Sequence, residues 1–170
     1  MVTEDVWDLL ISTFSYERRR CRKHFEEVCA KTGYKMKDIR YEDGSLKGFV
    51  GFWEIQKWVV IEHVVVHSST LFSEAFMELI SHLKRMYDDE FTIIKEIDMA
   101  CNHPVAEGKE LYKTVGFNEN PYIYIQPSFH REGINFPQRI LSYPSEISYS
   151  QFKVLRSLLY HHVYGKMHWC

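Results

Sequence analysis

The strongest structural constraint in the sequence is the run WVVIEHVVV at residues 58–66, in which every position except Glu62 and His63 is apolar. A strand that is apolar on both faces has to be covered on both faces. We therefore expect this segment at the centre of a sheet that lies between two layers of helices.

Two-fold alternation of apolar residues predicts antiparallel strands on the N-terminal side of this run, at residues 36–42 and 46–55, with the run itself as the third strand. The segment Glu42-Asp43-Gly44-Ser45 predicts a hairpin turn, because glycine accepts a positive φ. A tighter reversal is expected near Gln56-Lys57. Further strands are predicted at residues 91–99, 122–125 and 138–144.

Helical spacing of apolar residues predicts helices at 3–13, 16–31 and 71–87. Pro104 and Gly116 bound a shorter helix, and Ser148 or Ser150 begins a C-terminal one. The order is then α-α-β-β-β-α-β-α-β-β-α. It predicts one domain over residues 1–170, an α+β three-layer sandwich with a mixed, mostly antiparallel central sheet and helices on both faces.

Charge and cysteine content narrow the function classes. The net charge is -2, which gives no electrostatic reason to expect nucleic acid, and no window is apolar enough for a membrane span. The basic segment ERRRCRK at residues 17–23 is interpreted as a solvated helix face whose charges pair with Glu17, Glu26 and Glu27. Four cysteines without a Cys-x-x-Cys pair indicate reduced thiols and a cytoplasmic location. The histidines near the C-terminus match no structural zinc spacing, so we expect no metal.

Several segments, in this order and spacing, resemble the GCN5-related N-acetyltransferase (GNAT) superfamily: GFVGFWEI, VVIEHVVVHSS, ELYKTVGF, YIQPSF, ILSYP and HHVYGK. The resemblance extends over roughly residues 7–165 and looks like a bacterial branch of the superfamily. It implies an acyl-CoA N-acyltransferase-like fold and the transfer of an acetyl group from acetyl-coenzyme A to a primary amine by direct attack. The acceptor would be a small molecule or a peptide.

Glu62 is our predicted base, acting directly or through a water molecule. In a regular strand it shares a face with Trp58, Val60, Val64 and Val66, while His63 points the opposite way. A carboxylate among apolar neighbours has its pKa raised toward that of a useful base. The alternative is a buried carboxylate paired to an arginine or a tyrosine hydroxyl. His63 is the competing base, and its own alternative is a hydrogen-bonded core histidine.

By resemblance, Tyr112 in ELYKTVGF matches the family tyrosine that stands near the coenzyme sulfur and supplies a proton to the leaving thiolate. Its alternative is a core aromatic beside Leu111, Val115 and Phe117. By the same resemblance, Val64, Val65 and Val66 lie where the family separates two parallel strands. Pantetheine pairs with the free backbone there, and a backbone N–H faces the thioester oxygen.

The sequence departs from the family at the pyrophosphate loop, where Arg/Gln-x-x-Gly-x-Gly/Ala is expected. These positions are occupied by Leu71, Phe72, Ser73, Glu74, Ala75 and Phe76. A carboxylate near the pyrophosphate weakens coenzyme binding by roughly 3 kcal/mol before screening by salt. The sequence thus predicts weak or shifted coenzyme binding, unless Glu74 and Phe76 merely serve the helix itself. The alternative function is a catalytically degenerate GNAT-fold module for binding or regulation. A homodimer is also expected, through the aromatic C-terminal helix and strand.

Overall fold

The computed structural model describes residues 2–99, 108–131 and 133–165. A six-stranded sheet forms its centre, in the order β1-β2-β3-β4-β6-β5. Only the β3–β4 pair is parallel, and all other neighbours are antiparallel. The strands are β1 (Tyr34–Arg40), β2 (Leu46–Ile55), β3 (Trp58–Val66), β4 (Thr92–Asp98), β5 (Asn118–Gln126) and β6 (Phe136–Tyr143).

Helices cover both faces of this sheet, as β3 requires. The helices are α1 (Glu4–Thr13), α2 (Arg22–Cys29), α3 (Phe72–Met86), α4 (Lys109–Thr114) and α5 (Tyr149–Leu158). Side chains of α1, α2 and α5 pack in one hydrophobic cluster with one face of the sheet, and those of α3 and α4 pack in a second cluster with the other face. The predicted three-layer sandwich with a mixed, mostly antiparallel sheet is confirmed.

The turn signals in the sequence are found where they were expected. Gly44 has a φ of +83° in the first hairpin, and Gln56 takes a φ of +55° in the second. Ser148 begins α5 with a capping box, in which its hydroxyl accepts from the Gln151 N–H and the Gln151 side chain accepts from the Ser148 N–H. The helix start predicted at Pro104 lies outside the described residues.

The second predicted helix is wrong as a single element. Residues 16–31 form a short 3-10 turn at Tyr16–Arg18 and then α2 from Arg22, with extended backbone at Arg19 and Cys21 between them. This break directs Arg20 into the protein, where it is fully buried. The expectation of reduced thiols is wrong at Cys21, which is disulfide-bonded, whereas Cys29 is a free thiol.

Candidate functional site

The two parallel strands β3 and β4 separate part of the way along their length. Their pairing runs from Trp58 and Thr92 to Ile61 and Lys95. Beyond that point β3 continues to Val66 and β4 to Asp98 without a pairing between them. We call this opening, bordered by residues 62–66 and 96–98, the strand gap. Backbone groups that face the gap are free to pair with an extended ligand.

A bulge in β3 accompanies the separation. Phe52 of β2 lies opposite Ile61, and the preceding residue of β2, Gly51, lies opposite His63, so Glu62 is an extra residue on β3. A bulge bends a strand and increases its twist. It therefore supplies a local reason for β3 to diverge from β4 at this point.

The bulge also changes which side chains share a face, and here the sequence prediction is wrong. Glu62 does share a face with Trp58 and Val60, but Val64 and Val66 pack in the opposite cluster with α3. His63 does not point away from Glu62, since its ring packs against Phe14 of α1 at 4.8 Å. The extra residue reverses the alternation, so both polar side chains face the α1, α2 and α5 layer.

A cleft opens beside the strand gap on this side of the sheet. We call it the polar cleft. Strands β2 to β6 all contribute to its walls, together with the 3-10 turn, the segment between β5 and β6, and the final helical turn Leu159–Tyr164. The residues lining it are Arg18, Trp53, Val60, Ile61, Glu62, His63, Lys95, Glu96, Asp98, Gln126, Phe129, Phe136, Gln138, Val163 and Tyr164.

Glu62 forms a buried ion pair with Arg20. The Arg20 Nη2 donates to Glu62 Oε1 at 2.6 Å, and Trp53 Nε1 donates to the same oxygen at 3.4 Å. Burial alone raises the pKa of Glu62, but the Arg20 guanidinium, His63 and these hydrogen bonds outweigh it and lower the pKa to about 2. The expected rise in pKa is therefore wrong, because no local pattern shows which cation reaches this carboxylate.

Arg20 itself joins three parts of the chain. Its guanidinium lies 4.8 Å from the Phe129 ring, and Nη2 lies 3.4 Å from the Val163 carbonyl oxygen. The interpretation of residues 17–23 as a solvated helix face is wrong for this arginine. It holds for Arg22, whose exposed side chain pairs with Glu4 and Glu26.

Glu96 is the second carboxyl group in the polar cleft, and sequence reasoning missed it. Its side chain is buried, and Oε2 accepts a hydrogen bond from the Tyr164 hydroxyl at 2.7 Å. Within the described residues Oε1 has no hydrogen-bond partner of standard geometry. Burial raises the pKa of Glu96 and outweighs the hydrogen bonding from Tyr124 and Tyr164, which lowers it. A carboxylate of raised pKa is suited to accept a proton.

Other titratable side chains that line the cleft include Arg18 and Asp98, which form an ion pair, and His63. Arg18 pairs with the buried Asp98. Burial lowers the pKa of His63 to about 4 and outweighs the opposing effect of Glu62, so the imidazole is neutral near pH 7. In the described structure its Nε2 makes no hydrogen bond. The competing reading of His63 as a hydrogen-bonded core histidine is thus not what the structure shows.

Tyr112 lies on the other side of the sheet from Glu62. It is buried in the cluster beneath α3, with its ring edge-on to Phe76 at 4.9 Å and to Phe117 at 5.3 Å. Among the described residues that line the polar cleft, Tyr112 is absent. The structure therefore does not bring the two predicted catalytic residues into one cavity. Glu62 and Tyr112 lie on opposite faces of the sheet, and the strand gap lies in the sheet between them.

Helix α3 begins after the gap-lining end of β3, as the pyrophosphate loop would. Leu71 is its N-cap and is exposed, Ser73 is half-buried, and Glu74 is exposed in the first turn. Phe76, together with Ala75, faces the core and stacks on Phe72 at 5.9 Å. Glu74 therefore projects toward solvent at the helix start, whereas the two phenylalanines are part of the packing between α3 and the sheet.

In the described part of the chain, no helix is long and apolar enough to cross a membrane. Residues 2–99, 108–131 and 133–165 contain no group of three or more His, Cys, Asp or Glu side chains arranged to hold a metal ion.

Comparison with known proteins identifies the fold. No protein-family model matches the sequence, and no curated protein sequence matches it either. Solved structures do match. A protein assigned to the GNAT family of acetyltransferases from Bacteroides thetaiotaomicron aligns over 94% of this chain and 90% of its own, with a TM-score of 0.82 and 19% identity.

Two other solved structures are similar at lower scores. The aminoglycoside 6'-N-acetyltransferase from Enterococcus faecium aligns over 82% of this chain and 88% of its own, with a TM-score of 0.59 and 17% identity. The ribosomal-protein-S18-alanine N-acetyltransferase from Escherichia coli aligns over 87% and 92%, with a TM-score of 0.58 and 17% identity. The protein therefore has the GNAT fold.

Proposed function

We propose that this protein transfers an acetyl group from acetyl-coenzyme A to a primary amine that enters the polar cleft. The observation that carries the proposal is the strand gap, which lies between two parallel strands of a GNAT fold and opens on one side into a buried polar cleft. A thioester held in the gap would present its carbonyl carbon to an amine in the cleft. Direct attack would then form the N–C bond and break the C–S bond.

The coenzyme would approach from the α3 side of the sheet. Pantetheine would pair with the backbone of Val64, Val65 and Val66 along the unpaired edge of β3. The pyrophosphate would lie at the start of α3, at residues 71–76, where the first backbone N–H groups of the helix and its dipole favour an anion. Neither an arginine nor a glycine assists there, so the affinity would be modest.

For the proton transfers we propose Glu96 as the base. The amine arrives as an ammonium ion and must lose a proton before it attacks. Glu96 Oε1 makes no hydrogen bond of standard geometry within the described structure, whereas Arg20 holds Glu62 ionised with a low pKa. Glu62 as the base, directly or through water, stays a prediction of the sequence. Tyr112 stays our proposed acid for the leaving thiolate.

Calorimetry with acetyl-coenzyme A, followed by a thiol-release assay, tests the function. We expect a dissociation constant in the range of tens to hundreds of micromolar, which corresponds to a binding free energy of roughly 4–7 kcal/mol. Free thiol should appear when spermidine, an alanine-initiated tetrapeptide or kanamycin is added as a probe amine. The absence of both heat and thermal stabilisation at millimolar coenzyme would reject the enzyme and leave the degenerate binding module.

Replacing Glu74 by glutamine is expected to tighten acetyl-coenzyme A binding. The exposed carboxylate stands in the first turn of α3, and its removal leaves the helix dipole unopposed beside the pyrophosphate. Because salt screens an exposed charge, we expect a gain of about tenfold rather than the full unscreened effect. Titration calorimetry measures it.

The control is Asp89→Asn, the same loss of one exposed carboxylate beyond the other end of α3. It should leave affinity unchanged. Equal affinities for Glu74→Gln and the wild-type protein would place the pyrophosphate away from this helix start.

A further inference from the structure

Lys95 is a buried lysine that forms no ion pair with any described residue. Its residue is 4% exposed, and within the described structure no carboxylate oxygen lies within 4.0 Å of Nζ. The Glu62 carbonyl oxygen, at 3.4 Å, is its hydrogen-bond acceptor. Burying a charge without a partner is costly, and proteins rarely retain such a group without a use for it.

The position of Lys95 is specific. It belongs to the last paired position of β3 and β4, opposite Ile61, and the strands separate immediately after it. Its ammonium reaches the backbone of Glu62, which is the bulged residue and the first unpaired residue of β3. Nζ therefore lies at the apex of the strand gap, and Lys95 is one of the residues that line the polar cleft.

The other two cations near this point are already neutralised. Arg18 pairs with Asp98, and Arg20 pairs with Glu62. His63 is neutral near pH 7. Among the residues that the structure describes, a negative charge that develops at the apex of the gap would thus meet one cation without an ion pair, the Lys95 ammonium.

We infer that the Lys95 ammonium binds the thioester oxygen and stabilises the negative charge that forms on it when the amine attacks. This inference rests on the proposed function. In the step, the amine nitrogen bonds to the carbonyl carbon and the carbonyl π electrons move to oxygen. The oxyanion then re-forms the carbonyl, and the C–S bond breaks with its electron pair leaving on sulfur. Lys95 neither gains nor loses a proton, and the proton of the amine goes to the base.

A coenzyme analogue tests the inference without knowledge of the acceptor. S-carboxymethyl-coenzyme A carries a carboxylate next to the position of the thioester carbonyl, and acetyl-coenzyme A carries a neutral oxygen there. We expect Lys95→Met to weaken the binding of the anionic analogue by about 30-fold or more. The affinity for acetyl-coenzyme A should change by less than about threefold. Lys57→Met removes an exposed lysine of the β2–β3 turn and serves as the control, with neither affinity changed.

Turnover gives a second readout. With a probe amine that the wild-type protein acetylates, Lys95→Met should lower kcat by about 100-fold with little change in KM for the coenzyme. It should also raise the melting temperature, because an uncompensated buried charge is removed. A merely structural lysine would lower the melting temperature instead.

The outcomes separate the two proposals. If the wild-type protein binds acetyl-coenzyme A and transfers the acetyl group, but Lys95→Met retains both kcat and binding of the anionic analogue, the Lys95 inference is wrong and the function stands. A rise in KM for the amine at unchanged kcat would assign Lys95 to the acceptor and also overturn it. If the wild-type protein neither binds nor transfers, the function and the inference fail together.

Discussion

Replacing Arg20 by methionine is expected to lower the free energy of unfolding by roughly 3–5 kcal/mol near pH 7, the usual cost of removing one partner from a buried ion pair. Arg20 is fully buried, and its guanidinium pairs with Glu62 while contacting Phe129 and the Val163 carbonyl. Without it, the Glu62 carboxylate stays in the protein interior with no counter-ion. Urea denaturation measures the loss.

The chain provides a matched control two residues away. Arg22 belongs to the same basic segment, but its ion pairs with Glu4 and Glu26 are exposed to solvent. Exposed pairs contribute little to stability, so Arg22→Met should leave the unfolding midpoint nearly unchanged. Similar losses for the two variants would mean that Arg20 is not the buried partner of Glu62.

The pH dependence of the free energy of unfolding should have opposite slopes in the wild-type protein and in Arg20→Met. Glu62 has a pKa of about 2 in the folded protein and an ordinary pKa of 4.5. Its contribution to stability is therefore fully present above about pH 4.5 and is lost as the pH falls toward 2. In Arg20→Met, burial is the largest remaining influence on Glu62 and raises its pKa, so acidification from neutral pH should stabilise the variant. Unfolding at a series of pH values distinguishes these opposite slopes.

The same arginine marks a limit of sequence reasoning. Residues 17–23 contain four arginines, and no local pattern shows which of them is buried. The answer depends on Glu62, which lies 42 residues away. Helical periodicity also predicted one continuous helix over residues 16–31, whereas the chain breaks between the 3-10 turn and α2 and Arg20 points inward at that break. By contrast, the central position of β3 was predictable, because its apolar run needs cover on both faces wherever the chain leads it.

The bulge at Glu62 left a signal that could have been used. Two adjacent polar residues in an otherwise apolar strand cannot both face solvent if each face of the sheet is covered, and regular alternation places one of them in each layer. An extra residue lets both face a single polar cleft. The segment FTIIKEIDM carries a similar signal, because Lys95, Glu96 and Asp98 interrupt a buried strand.

Replacing Glu96 by glutamine is expected to reduce kcat by about 10²- to 10⁴-fold, the usual contribution of a general base. The change keeps the shape of the side chain and removes the carboxylate that would accept the proton of the ammonium. A thiol-release assay with a probe amine that the wild-type protein acetylates measures the rate. Glu119→Gln, a carboxylate of β5 that pairs with Arg139, Lys109 and Lys113 outside the polar cleft, is the control.

Whereas Glu96→Gln should lower kcat, it should not lower the stability of the folded protein at neutral pH. Burial raises the pKa of Glu96 in the folded protein, so the carboxyl group favours folding most at low pH, and this contribution is lost as the pH rises through its raised pKa. At neutral pH the glutamine variant should then be at least as stable as the wild-type protein while it loses activity. A variant that loses stability and activity together would point to a structural role.

The pH profile of kcat/KM separates Glu96 from Glu62. A base must be ionised, so activity falls as the pH drops through the raised pKa of Glu96, whereas a base with a pKa of about 2 gives no such fall in the accessible range. Tyr164→Phe removes the hydrogen bond to Glu96 Oε2, and this bond stabilises the ionised carboxylate of Glu96. It should therefore move this acidic limb to higher pH. A limb that is unmoved by Tyr164→Phe and still present in Glu96→Gln would assign the proton transfer to another group.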